Sequence, residues 1–144
     1  MIIGLIHKFV PAFDNLLQQH GFKTVEEIYR PEEFGNALIK MVSSDFQLRF
    51  TRDRSQVFVD IAPPATDRWY KLEYVLEFVD SDICSNDFGA PPEIDKLAKS
   101  LEKNYERVRE LLSNNIAQLN LERFMKTKAN EFITRLFGPK PEKN

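Results

Sequence analysis

Apolar and polar residues alternate most regularly between Phe46 and Ile61, on both sides of a short charged centre. Successive side chains of a strand point to opposite sides, so alternation of this kind gathers the apolar residues on one face. The apolar residues at alternate positions are Phe46, Leu48, Phe50, Val57, Val59 and Ile61. The stretch predicts a β-hairpin whose apolar face belongs to the core.

Two further extended segments precede the hairpin. Residues 22–30 alternate loosely, Pro31 and Gly35 bracket a turn, and residues 37–43 form another extended run. Short connections join antiparallel neighbours and cannot bridge parallel ones. The pattern therefore predicts a four-stranded antiparallel meander.

Apolar residues spaced three and four apart predict helices before and after this sheet. An N-terminal helix is expected to reach about His20, and Pro11 either kinks it or lies near its start. A second helix is expected after the last strand, capped by Thr66 or Asp67 and carrying Trp69 inward. Both helices would pack against the sheet.

Two C-terminal helices complete the predicted elements. The first runs from about Glu93 to Leu112, and the second runs from about Ile116 until Gly138 ends it. No linker or repeat divides the chain. The expected fold is a single α+β domain over residues 1–138, in which the meander packs with all four helices, and residues 139–144 are expected to be a flexible tail.

Composition places the chain among ordinary globular proteins. Its 144 residues and 42% apolar content suffice for one hydrophobic core. The single cysteine, Cys84, provides no disulfide framework, which is typical of a reducing compartment. No apolar run has the length of a membrane span, and the N-terminus lacks the features of a signal peptide. We therefore expect a cytoplasmic protein without a membrane partner.

Charge is distributed unevenly along the chain. The formal net charge of −2 is the sum of zero for residues 1–71, −7 for residues 72–95 and +5 for residues 96–144. The carboxylates of the middle region, which we call the acidic segment, are Glu73, Glu77, Asp80, Asp82, Asp87, Glu93 and Asp95. Like charges this close repel one another unless the basic C-terminal region compensates them. The segment is either paired in this way or forms a surface that docks a basic protein.

Candidate chemistry is sparse. The loop after Asp80 resembles a calcium loop only in part, because Ser85 stands where a turn glycine is needed and Pro91 where a glutamate should close the site. Five glycines form no phosphate-binding or nucleophile motif, and two distant histidines with one cysteine form no zinc pattern. We predict a protein that is not an enzyme and has no cofactor or metal.

The outward face of the hairpin and the helix near Trp69 provide a weaker set of candidate site residues. Arg49, Asp60, Trp69 and Tyr70 could build the site of an enzyme or small-molecule binder if one pocket enclosed them. A nucleic-acid surface is disfavoured, because aspartates alternate with the arginines and cancel their field. Self-association through the C-terminal helices is a further alternative.

Three segments carry a resemblance to known proteins: LRFTRDRSQVFVDI, WYKLEYVLEFV and LAKSLEKNYERVRELL. Over residues 12–112 the chain resembles a group of small bacterial proteins without assigned activity, some of which are similar to immunity proteins that neutralise polymorphic or contact-dependent toxins. The resemblance implies a cytoplasmic bacterial protein. It transfers no functional residue and does not cover the helix after Ser113. We therefore expect a non-enzymatic protein-binding protein whose acidic segment covers the active site of a basic toxin domain.

Overall fold

An antiparallel sheet is the scaffold of the computed structural model, which describes residues 5–89 and 92–138. Its strands follow one another in chain order: β1 (Lys23–Arg30), β2 (Asn36–Val42), β3 (Gln47–Asp53), β4 (Gln56–Ala62) and β5 (Tyr70–Lys71). The predicted α+β class and antiparallel order are confirmed, but the strand number was wrong. Tyr70 pairs with Ile61 and Lys71 with Asp60, so the sheet has five strands.

Six α-helices accompany the sheet in the described residues. They are α1 (Leu5–Phe9), α2 (Asp14–Gln19), α3 (Leu72–Val79), α4 (Ile94–Lys103), α5 (Tyr105–Leu112) and α6 (Asn115–Phe137). The predicted N-terminal helix is interrupted by a 3-10 turn over Pro11–Phe13, because proline cannot supply the next helical hydrogen bond. The predicted tail over residues 139–144 lies outside the described residues.

Two predicted helix boundaries were wrong. The helix after the hairpin begins at Leu72 instead of following a cap at Thr66 or Asp67, because Tyr70 and Lys71 first complete the sheet. The predicted helix over residues 93–112 is broken at Asn104. This buried side chain donates to the carbonyl of Ser100 at 3.0 Å and to the carboxylate of Asp80 at 3.2 Å.

The C-terminal helix α6 was predicted closely. Asn114 caps it, since its side-chain oxygen accepts hydrogen bonds from the amides of Ile116 and Ala117. Gly138, at a φ of 80°, ends it in a conformation that glycine adopts without strain. None of the helices in residues 5–89 and 92–138 has the length and apolar sequence that a membrane crossing requires.

One face of the sheet, the inner face, joins the helices in a common core. The predicted apolar face of the hairpin is confirmed, since Phe46, Leu48, Phe50, Val59 and Ile61 are buried and Val57 is partly buried against them. Aromatic rings bridge the sheet and the helices, with ring centroids 5.0 Å apart for Phe13 and Phe50 and 5.1 Å apart for Phe46 and Tyr105. The opposite, outer face mostly holds half-buried and exposed residues.

Candidate functional site

A row of charged side chains crosses the outer face of the sheet. The strand register places Lys40 opposite Arg49, Arg49 opposite Asp60 and Asp60 opposite Lys71. Residues directly opposite on antiparallel strands have Cβ atoms about 5 Å apart, so their side chains interact. On β1, Glu26 stands opposite Lys40, so the five strands contribute one continuous row of three cations and two carboxylates.

Trp69 lies across this row on the outer face, so the prediction that a helix carries it inward was wrong. The guanidinium carbon of Arg49 is 4.3 Å from the centroid of the indole ring, and the ammonium of Lys40 is 5.7 Å from it. The indole N–H donates to Asp67 at 2.9 Å, which fixes the orientation of the ring. We call Lys40, Arg49, Asp60, Trp69 and Lys71 the Trp69 surface.

Arg49 is held from both sides. Its Nε and Nη2 atoms donate to Oδ2 of Asp60 at 3.3 and 3.2 Å, while its guanidinium stacks on Trp69. A guanidinium between a carboxylate and an aromatic ring has little rotamer freedom left. Contacts within the chain therefore position the side chains at the centre of the Trp69 surface.

The Trp69 surface carries more positive than negative charge. Asp60 forms an ion pair with Arg49 at 3.2 Å. Lys40 and Lys71 form no ion pair with any residue in the described parts of the chain. Two ammonium groups thus flank the stacked pair. An incoming molecule that places carboxylates beside them would complement the surface.

Tyr70 does not join the other three residues of the predicted hairpin site. It lies opposite Ile61 on the inner side, it is buried, and its hydroxyl donates to Glu122 of α6 at 2.9 Å. Burial, together with this hydrogen bond, raises the pKa of Tyr70 to about 12. Arg49 and Tyr70 lie on opposite faces, so the predicted pocket around Arg49, Asp60 and Tyr70 does not form.

Lys40 and Lys71 are the members of the Trp69 surface that the sequence analysis missed. Their signal lies in the strand register, because each stands opposite a candidate residue on the neighbouring strand. The position of Lys71 follows only from the pairing of β5 with β4. Period-2 alternation of β2 alone does place Lys40 on the outer face.

Two carboxylates of the acidic segment are used inside the fold. The carboxylate of Glu77 lies 2.6 Å from the ammonium of Lys128 and accepts a hydrogen bond from the amide of Ser85 at 3.2 Å. Asp80 is buried, accepts from the amide of Asp82 at 3.0 Å, and lies 3.9 Å from the ammonium of Lys103. The basic C-terminal region thus neutralises part of the acidic segment, as one of the two interpretations expected.

Hydrogen bonds lower the pKa values of both Glu77 and Asp80. Burial alone would raise the pKa of Glu77, but hydrogen bonds from Lys128 and Ser85 outweigh it and lower the pKa. The amide of Asp82 makes the largest contribution to the lowered pKa of Asp80. Both carboxylates therefore hold their charge firmly and fasten α3 to α6 and to α4.

The remaining carboxylates of the acidic segment are more open. Glu73 is half-buried, whereas four others are exposed: Asp82, Asp87, Glu93 and Asp95. We call these four the exposed acidic set. Asp87 accepts from the amide of Cys84 at 3.0 Å, and Glu93 lies 3.6 Å from the ammonium of Lys96. Within the described residues, no three histidine, cysteine or acidic side chains are gathered closely enough to hold a metal ion.

Lys128→Met is expected to destabilise the protein by about 1–2 kcal/mol at pH 7, because the carboxylate of Glu77 would lose its charged partner. The side chain of Glu77 is only 11% exposed. Its pKa is lowered in the folded protein, so this stabilisation is present above its ordinary value of 4.5 and disappears as the pH falls through the folded value. Urea unfolding at several pH values measures the effect.

The matched control for this prediction is Lys126→Met, which changes an exposed lysine of the same helix that forms no ion pair in the described structure. It should leave stability nearly unchanged. A Lys128→Met deficit that stays constant from pH 7 to pH 3 would show that the pair with Glu77 is not its source.

Comparisons of the chain with protein-family models, with curated proteins and with solved structures found no match. The resemblance to immunity proteins therefore stays a prediction.

Proposed function

We propose that this chain is a non-enzymatic protein-binding protein whose partner docks on the Trp69 surface. The observation that carries the proposal is the stacked pair of Trp69 and Arg49, held in place by Asp67 and Asp60. Tryptophan and arginine are enriched among the residues that contribute most to protein interfaces. Groups that are already ordered lose little entropy on binding, so more of their contact energy appears as affinity.

An apolar row beside the Trp69 surface extends the proposed interface. The register places Ile28 opposite Leu38, Leu38 opposite Thr51 and Thr51 opposite Phe58 on the same outer face. Ile28 and Phe58 are both exposed. Leu38 and Thr51, which lie between them, are partly buried. Exposed apolar side chains next to charged ones are common at protein interaction sites. The partner would place apolar side chains on this row and carboxylates beside Lys40 and Lys71.

The exposed acidic set supports a second candidate interface, the one expected from the resemblance to immunity proteins. Asp82, Asp87, Glu93 and Asp95 lie within fourteen residues, and only Glu93 has a lysine within ion-pair distance in the described structure. A basic toxin domain would complement these carboxylates and associate faster because of them. In this form of the proposal the chain neutralises a toxin in the bacterial cytoplasm.

Charge reversal separates the two interfaces. The wild-type chain is first used to capture a partner, which is then identified, purified and titrated against two double variants, Lys40→Glu with Lys71→Glu and Asp82→Lys with Glu93→Lys. If the partner docks on the Trp69 surface, the lysine variant loses at least tenfold in affinity and the acidic variant binds like the wild type. All four changed residues are exposed or half-buried, so both variants should fold.

The opposite pattern of loss would identify the exposed acidic set as the interface and refute docking on the Trp69 surface. If both variants bind the partner with the affinity of the wild type, both forms of the proposal are refuted. Light scattering of the purified chain covers the remaining alternative, self-association through the C-terminal helices. A dimer that persists in both variants and excludes the partner would favour that alternative.

A further inference from the structure

A cleft of about 500 Å³ lies between the end of α6 and the edge of the sheet formed by β4 and β5. Three aromatic side chains line it from different elements: Phe58 on β4, Tyr74 on α3 and Phe132 on α6. Small-molecule sites commonly enclose about 300–1,000 Å³ and combine apolar walls with a few polar groups. The volume of the cleft lies within this range, and the three aromatic side chains form part of its lining.

The charged groups of the cleft favour an anion. Lys71 on β5 and Arg135 on α6 both line it, and neither forms an ion pair with any residue in the part of the chain that the structure describes. The ammonium of Lys71 lies 5.8 Å from the ring centroid of Tyr74, which places a cation beside an aromatic wall. Glu73 is the one carboxylate that lines the cleft, and it is half-buried.

Glu73 reduces this positive charge only in part. Burial is the main reason why its pKa is raised, since the charged carboxylate is poorly solvated there. Lys71 attracts Glu73 electrostatically and lowers its pKa, but burial outweighs this effect. A ligand carboxylate would therefore meet two cations that lack a close ion pair and one carboxyl group that accepts a proton more readily than usual. Gln56, Ser85 and Asn86 also line the cleft and add groups that can donate hydrogen bonds.

We propose that this cleft binds a small planar aromatic carboxylate. The aromatic ring would lie between Phe58, Tyr74 and Phe132, and the carboxylate would accept hydrogen bonds from Lys71 and Arg135. Guanidinium groups bind carboxylates in a bidentate manner, which fixes the ligand's orientation. The site shares Lys71 with the Trp69 surface but does not depend on a protein partner.

A titration of the full chain with 2-naphthoate, followed by NMR, tests this inference, with 2-naphthamide as the uncharged analogue. The naphthoate is expected to shift resonances of Tyr74 and Phe132 and to bind about tenfold more tightly than the amide. Arg135→Met should weaken naphthoate binding about tenfold, because a charge-assisted hydrogen bond is lost. Phe132→Ala should also weaken it, and both residues are exposed on α6, so the fold should be unaffected.

Two controls separate this site from nonspecific binding and from the proposed protein interface. Lys126→Met changes a lysine of α6 outside the cleft and should bind naphthoate like the wild type. Trp69→Ala should do so as well, because Trp69 does not line the cleft. The inference is overturned if amide and carboxylate bind equally, if Arg135→Met has no effect, or if the shifted resonances lie away from the cleft.

Discussion

Phe46→Ala is expected to lower the free energy of unfolding by about 3–5 kcal/mol, because truncation of a buried phenylalanine loses apolar burial and leaves a cavity. Phe46 has 0% exposed surface at the start of the hairpin. Its ring centroid lies 5.4 Å from that of Phe22 and 5.1 Å from that of Tyr105. The substitution therefore removes a ring that joins the sheet to α5. Urea unfolding followed by circular dichroism measures the loss.

Phe58→Ala is the matched control, since it makes the same chemical change on the same hairpin. Phe58 lies on the outer face and is 40% exposed, so its truncation should cost less than about 1 kcal/mol. Similar losses for the two variants would contradict the assignment of inner and outer faces. The same assignment places the Trp69 surface on the outer face.

Trp69→Ala is expected to weaken binding of the identified partner by about 30-fold, which corresponds to the 2 kcal/mol loss typical of a central interface residue. The substitution removes the largest apolar group of the Trp69 surface and releases one side of Arg49. Trp69 is half-buried and lies outside the hydrophobic core, so the variant should remain folded. Isothermal titration with the purified partner measures the change in affinity.

Phe34→Ala provides the control for this loss. Phe34 is an aromatic residue with 74% of its surface exposed, and it lies in the turn between β1 and β2, away from Trp69. Its truncation should leave affinity unchanged. A loss as large as that of Trp69→Ala would indicate that any exposed aromatic residue contributes, which contradicts a localised interface.

The hairpin and α6 were predictable because their signals are local. Alternation over Phe46–Ile61 is long enough to define a face, and the ends of α6 follow from Asn114 and Gly138, whose capping roles depend on their own chemistry. Strand β5 was missed because two residues are too short to show alternation. The break at Asn104 was missed because the partner that favours it, Asp80, lies 24 residues away in the chain.

For the candidate site, the sequence predicts only which face of its own strand each residue occupies. Alternation places Arg49 and Asp60 on the outer face, but their grouping with Trp69 depends on the path of the chain after Pro63 and Pro64. Tyr70 was grouped with them by proximity in sequence, although its strand position turns it inward.

The charge count of the acidic segment did not predict how much of that charge lies on the surface. Its total of −7 is a property of the sequence, whereas its surface charge depends on which cations fold against it. Lys128 and Lys103 come from helices distant in sequence and neutralise Glu77 and Asp80. The docking hypothesis for this segment therefore narrows from seven carboxylates to the four of the exposed acidic set.

Trp69 is the single tryptophan of the chain, which makes it a site-specific reporter of the proposed interface. Uniform labelling with 5-fluorotryptophan gives one ¹⁹F resonance from the centre of the Trp69 surface. Addition of the purified partner should shift this resonance and protect it from a soluble paramagnetic quencher. A saturated complex in which the resonance keeps both its position and its quencher accessibility would contradict docking at Trp69.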